Sequence, residues 1–242
     1  MTAAPPDFAP FHGFRGDARG PVPAPRGLTV AVSREAGARG TTVAAKVAEI
    51  LGWQLFTSET LDYLSHDDTA RAQLHADLTP DARAWADAHL THLLRDRGLT
   101  ADSATLPVVR TVLAVAARGQ AVIVGRGAGF VLPAESTLHA RVVAPLDARI
   151  AYMAQHLRLT RREAADEVRA RDERRARFLD AALATDPADL TAYDLVVNSD
   201  RLGAEAAAQF LGWAVRTKQQ FAELAEPAAN PVLGTLDELA GA

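Results

Sequence analysis

The chain has no cysteine, which excludes disulfide frameworks, thiolate metal sites and cysteine nucleophiles together. Lysine is nearly missing as well: Lys46 and Lys218 are the only two, and arginine supplies the rest of the 26 basic side chains. Arginine suits planar, two-pronged phosphate recognition, yet the same enrichment follows from a compositional drift towards Ala and Arg, and drift carries more weight. Excess positive charge is absent too. The net charge is -4, which argues against a general nucleic-acid binder that must displace phosphate counterions. There is no apolar run of the length that a secretory leader or a membrane span requires, so the cytoplasm is the expected location and no membrane partner is expected.

What is present is a chain of 242 residues, long enough to bury roughly 70 to 75% of its extended surface without cross-links. Residues 1–27, rich in Pro, Gly and Ala, read as a flexible arm. The fold is expected to begin at Leu28, where Leu28-Thr29-Val30-Ala31-Val32 makes a short strand. Gly37 and Gly40 follow, and Val43, Ala44, Val47, Ala48 and Leu51 then recur at helical spacing up to Gly52. From Ser58 to about Gly98 the pattern is mostly helical, with Pro80 opening a helix after Thr79. His89 and His92 stand beside Asp87, but no third ligand follows at a convincing spacing, so that face reads as solvated rather than metal-binding.

Val108 to Arg118 reads as a helix, Ala121-Val122-Ile123-Val124 as a strand covered on both faces, and Leu138 to Val143 as another strand. Helices over Ala148 to Leu157 and Arg161 to Leu183, a strand at Leu195-Val196-Val197 and a last helix from about Ala204 to Ala225 complete the series. Strands that alternate with helices demand crossover connections, hence a parallel sheet with helices on both faces. One domain is expected over 28–225, with a tail over 226–242.

The segment Ser33-Arg34-Glu35-Ala36-Gly37-Ala38-Arg39-Gly40-Thr41-Thr42 joins the first strand directly to a helix. Such a loop aims backbone N–H groups, and about half an elementary positive charge, at whatever lies above the helix start. Against the strict phosphate-loop pattern the second glycine is Gly40, the lysine position is Thr41 and the hydroxyl position is Thr42. Thr42 can ligate Mg²⁺. Thr41 cannot bridge phosphates, which leaves Arg34 or Arg39 to supply that charge. The bland alternative is an ordinary strand-to-helix turn whose glycines serve tight geometry.

Val32-Ser33-Arg34-Glu35 with Gly37 and Gly40 resembles the opening I-S-R-E-x-G-S-G-G-R of the cytidylate kinase-like family. Leu51-Gly52-Trp53 with Phe56, Glu59 and Leu61 resembles the segment after that family's first helix. Val122-Ile123-Val124-Gly125-Arg126-Gly127-Ala128 with Val131-Leu132 is similar to its V-I-V-G-R-x-A-x-x-I-L, and Val143-Ala144-Pro145 with Arg149-Ile150 follows. Asp172-Glu173-Arg174-Arg175-Ala176 resembles the lid motif D-x-x-R-A, and Tyr193-Asp194-Leu195-Val196-Val197-Asn198-Ser199 with Leu202-Gly203 resembles the family's ending.

The resemblance, over about 28–213, implies a three-layer P-loop kinase with a helical monophosphate-binding insert at 58–105 and a helical lid at 158–178. It implies ATP with Mg²⁺, and phosphoryl transfer to a nucleoside monophosphate such as CMP. The nucleotide phosphates fall to Arg34, Gly37, Ala38, Arg39, Gly40, Thr41 and Thr42, with Thr42 on the metal. Arg126 and Arg175 take the acceptor phosphate, Asp172 its sugar, and Arg171 joins Arg126 and Arg175 as a catalytic cation; the alternative for Arg126 is a structural ion pair. Arg174 and Arg177 read as solvated or paired with neighbouring acids. This sequence departs from the family at Gly127, where cytidylate kinases carry Asp, at Val168, where they carry a lid arginine, and at Arg39 and Thr41. Those departures leave a catalytically impaired nucleotide-binding protein of the same fold as the alternative.

Overall fold

A computed structural model describes residues 27–96 and 105–225. The arm and tail expected from the sequence, Gly27 apart, lie outside the described residues. Strand β1 (Thr29–Arg34) leads through the glycine turn into α1 (Gly40–Leu51), which stops at Gly52 in the left-handed conformation. After β2 (Gln54–Phe56) come α2 (Ser58–His66), α3 (Asp68–Ala76) and α4 (Pro80–Asp96).

The stretch read as mostly helical is divided by side-chain caps. Thr57 accepts from the Thr60 amide, Asp67 ends α2 and accepts from the Ala70 amide at 2.8 Å to start α3, and Thr79 accepts from Ala82 ahead of α4. His89 does not simply face water. Its Nδ1 donates to the Trp85 carbonyl at 2.9 Å, and its ring lies 4.3 Å from the buried indole.

The second half runs α5 (Leu106–Ala117), β3 (Ala121–Val124), α6 (Ala128–Val131), β4 (Thr137–Val143), α7 (Leu146–Leu157), α8 (Arg161–Leu183), β5 (Leu195–Asn198) and α9 (Ser199–Ala225). Helix α8 opens with a reciprocal capping box between Thr160 and Glu163. Within α9 the chain leaves helical geometry at Gly203 (φ 73°, ψ 160°), so the long helix proper starts one residue later. The short α6 has no helical period in sequence, because four residues are too few to show one.

The sheet is parallel, in the order β2-β3-β1-β4-β5. Its pleat sorts side chains into two cores. Val30, Val32, Val122, Val124, Leu138, Ala140 and Val142 pack against α1 and α9, while Ala31, Ala121 and Ile123 point the other way, to α5 and its neighbours. That is why the strands read as unbroken apolar runs. Since β1 leads to β2 on one side while its neighbour β3 leads to β4 on the other, the connections leave these two strands in opposite directions, and a crevice opens at their carboxyl ends. No helix among the described residues is long and apolar enough to cross a membrane.

Candidate functional site

The turn after β1 is held from three directions. Its Glu35 amide donates to the Val142 carbonyl at 3.1 Å, extending the pairing with β4, and the Ala38 amide closes on the Glu35 carbonyl. Gly37 has φ 81°, and a Cβ there would run into the Arg149 carbonyl, so this position admits glycine only. The buried Arg149 of α7 donates to the Ala144 and Ala36 carbonyls and, at 2.5 Å, to Asp172 of α8. The other oxygen of Asp172 accepts from the Ala36 amide at 2.7 Å. Loop, α7 and α8 are thereby tied together by one guanidinium and one carboxylate.

The start of α1 is bare by contrast. Arg39 stands at the N-cap in the left-handed region (φ 56°) with no side-chain cap, and Thr41 and Thr42 are exposed. Among the described residues, the amides of Gly37, Arg39, Gly40, Thr41 and Thr42 have no hydrogen-bond acceptor. These are the first-turn donors that every helix leaves over, here joined by a loop amide. The Arg39 guanidinium does not join them: it lies 4.8 Å from the Tyr152 ring centroid on α7. Gly40 is already helical, and a Cβ on it would collide with the Arg34 side chain.

Arg34 runs the opposite way, into the interior. Its guanidinium passes over Gly125, where a Cβ would strike it, and donates to Ser58 at 3.2 Å. Burial lowers its pKa to about 10, and the neighbouring charges of Arg175 and Arg126 push the same way against Glu59. Arg175 donates to the Arg34 carbonyl at 3.2 Å and lies 3.6 Å from Asp172; its pKa too is lowered by burial.

Arg126 follows β3 in a turn of three consecutive left-handed residues, Gly125 (φ 85°), Arg126 (φ 53°) and Gly127 (φ 68°). For a long side chain that conformation costs about 1 to 2 kcal/mol. Its Nη2 pairs with the Asp62 carboxylate of α2, and its buried Nε has no hydrogen-bond partner among the described residues. A Cβ at Gly127 would meet Leu183 and Leu179 of α8, so the turn is pressed against that helix.

These groups converge. A cleft of about 820 Å³ is lined by Arg34, Arg126, Arg141, Arg171, Arg174 and Arg175. Five carboxylates line it as well, of which Glu35 and Asp172 are already engaged by loop or strand groups. Of the candidate residues named from the sequence, Arg34, Arg126, Arg171, Asp172 and Arg175 share this cleft, whereas Gly37, Ala38, Arg39, Gly40, Thr41 and Thr42 do not line it. Arg171 is paired with Glu167 at 2.5 Å, Arg174 with the same carboxylate at 3.7 Å, and Arg177 with Glu173 at 3.6 Å.

Asp62, the partner of Arg126, stands alone on α2 and gives no signal in sequence. Arg149 stood within the resemblance without a role; only the folded chain shows it joined to Asp172, 23 positions later. For a metal, Thr42 offers one exposed hydroxyl, and no group of three or more His, Cys, Asp or Glu able to hold an ion occurs among the described residues. That donor set fits a magnesium ion carried in by nucleotide phosphates and keeping several waters, not one caged by protein.

Comparison with known proteins gives the following. The family model described as the cytidylate kinase-like family matches residues 29–201. No curated protein matches the sequence. Among solved structures, an uncharacterized protein from Eubacterium ventriosum aligns with a TM-score of 0.63 at 17% identity, covering 79% of this chain and 99% of that one, a likeness of fold. A shikimate kinase from Bacteroides thetaiotaomicron aligns at 0.45, with 16% identity over 78% of this chain and 98% of that one. TT1252 from Thermus thermophilus aligns at 0.43, with 16% identity over 79% and 97%. Neither of these two looser alignments bears on the site.

Proposed function

The chain belongs to the cytidylate kinase-like family, and from that premise we propose that it transfers the γ-phosphoryl group of ATP to a nucleoside monophosphate, with CMP the first candidate. The observation that carries the reading is the meeting of Arg34, Arg126, Arg171 and Arg175, from a strand end, a strained turn and the lid helix, in one cleft beside a helix start with unused amides. Arg126 holds the acceptor phosphate with two-pronged, charge-assisted hydrogen bonds. Its fixed left-handed backbone supplies the preorganisation. The amides of Gly37, Arg39, Gly40, Thr41 and Thr42 receive the donor phosphates, and Thr42 would hold a magnesium ion, which would supply charge neutralisation to those phosphates. Arg34, Arg171 and Arg175 stabilise charge on the transferring group, and α8 excludes the water that would otherwise hydrolyse it. The test is a coupled assay for ADP across the common monophosphates. Turnover that depends on a monophosphate supports the reading; silence with all of them sinks it.

A second reading has its own observations. Asp172 occupies the Ala36 amide, Arg39 is turned onto Tyr152, and no lysine stands at the start of α1. A protein so built binds nucleotide for regulation or interaction without chemistry. Calorimetry would then give binding without turnover, and Thr41→Lys would raise the rate. Turnover by the unaltered chain refutes it.

A further inference from the structure

At the end of β1, Ser33 lines the cleft with a hydroxyl whose polarity is set from behind. His139 of β4 is buried, its ring against Phe130 (4.8 Å between centroids) and Tyr193 (4.5 Å). Its Nδ1 lies 2.8 Å from the Ala192 carbonyl, which can only accept, so Nδ1 carries hydrogen. Burial first of all holds the ring pKa down, to about 4, with Arg141 adding in the same direction against Asp194. Neutral imidazole with hydrogen on Nδ1 has a lone pair on Nε2. Ser33 Oγ is 2.9 Å from that nitrogen. The Tyr193 hydroxyl, also beside Ser33, donates to the Pro187 carbonyl, so Nε2 and the Tyr193 oxygen are the inward acceptors for the serine proton, and what Ser33 offers the cleft is lone pairs. The ring position has no slack, because a Cβ on Gly129 would fall onto it.

Around Ser33 the cleft is rich in donors, with Arg34 next in sequence and Arg141 also lining it. An anion is served by those guanidinium groups and repelled by an oxygen that cannot donate. A ligand that carries both an anion and a hydroxyl finds a partner for each. We propose that Ser33 is a specificity-determining acceptor, receiving a hydrogen bond from a sugar hydroxyl of the phosphorylated ligand while His139 keeps it from donating. This rests on the nucleotide-kinase reading of the same cleft and adds to it a reason to prefer a ribose over its deoxy counterpart.

The experiment uses the full chain, with two readouts. Nitrogen chemical shifts of His139 identify which ring nitrogen bears hydrogen, without any ligand. Hydrogen on Nδ1 alone is expected; hydrogen on Nε2 overturns the proposal. Calorimetric titrations with CMP, 2′-deoxyCMP and 3′-deoxyCMP are then run on the wild type and on Ser33→Ala, whose folding is checked by thermal melt. The wild type is expected to bind one deoxy ligand about tenfold more weakly than CMP, and Ser33→Ala is expected to erase that gap by losing CMP affinity alone. A gap that survives in Ser33→Ala, an equal loss for all three ligands, or no gap in the wild type overturns it. If no nucleotide binds at all, the kinase reading and the ligand half of this inference fall together, while the nitrogen shifts still decide whether the serine proton is committed inward, so the two failures are told apart.

Discussion

The two sides of the turn after β1 offer an anion different means. On the cleft side, side chains do the holding: six arginines line the cavity, several are half-buried, and most are already leaning on a carboxylate or a carbonyl. On the α1 side, among the described residues, there are five amides without an acceptor and two exposed threonine hydroxyls. Guanidinium groups discriminate by geometry, at a cost: burial lowers the pKa of Arg34 and Arg175, and Arg126 sits on a left-handed backbone. Amides need only the right turn. The cleft side is thus the specific and costly half, and the α1 side the general and cheap one.

The comparison breaks most readily where the halves are joined. Arg149 also lies 3.5 Å from Glu35, so Arg149→Ala leaves Asp172 and Glu35 without their shared cation and should cost about 3 to 4 kcal/mol of stability, read as a fall in chemical-denaturation midpoint. An unchanged midpoint would mean that the two sides are not coupled through α7. The next largest effect is on acidification and belongs to the cleft side alone. His139 has a folded pKa near 4 against an ordinary 6.5, so the unfolded chain takes up the proton first. Stability is full above pH 6.5 and is lost as pH falls towards 4, by up to about 3 kcal/mol from this group. His139→Gln should flatten that part of the profile; an equally steep variant would assign the loss elsewhere.

Ligand affinities sharpen the division further. Arg126→Ala should weaken CMP by about 1.5 to 3 kcal/mol and leave ATP unchanged, since Arg126 lines the cleft and not the amide end; calorimetry that finds both ligands weakened alike would erase the distinction. The smallest effect is expected from Thr42→Ala, about 1 kcal/mol or less on magnesium-ATP and none on CMP. A loss for CMP there would put the acceptor on the wrong side.

The fold was legible because it is written in local terms. Val30, Val32, Val122 and Val124 read as buried strands, and the glycines before Thr41 marked a turn into a helix. Helix boundaries in 58–96 were not, because Asp67 caps through one hydrogen bond that resembles any surface aspartate until the chain is folded. Within the site, Arg126 stood out between two glycines after an apolar run. Its Asp62 partner did not, being an ordinary residue on an amphipathic helix. The direction of Arg34 and Arg39 was equally hidden: two arginines five positions apart in one loop end on opposite sides, one over Gly125 and the other over Tyr152. That choice depends on the left-handed backbone at Arg39, which composition at a glycine-free position does not announce.

With its carboxylate on the Ala36 amide, Asp172 makes α8 a rival of any anion that reaches for that one donor. There, unlike at the five amides of the α1 side, entry is an exchange: a tethered carboxylate is always nearby and loses no translational entropy on its return. Each successful exchange also releases one of the restraints on α8. Occupancy of the Ala36 amide and the hold on α8 are then a single equilibrium, and a probe fixed to either one reports on both.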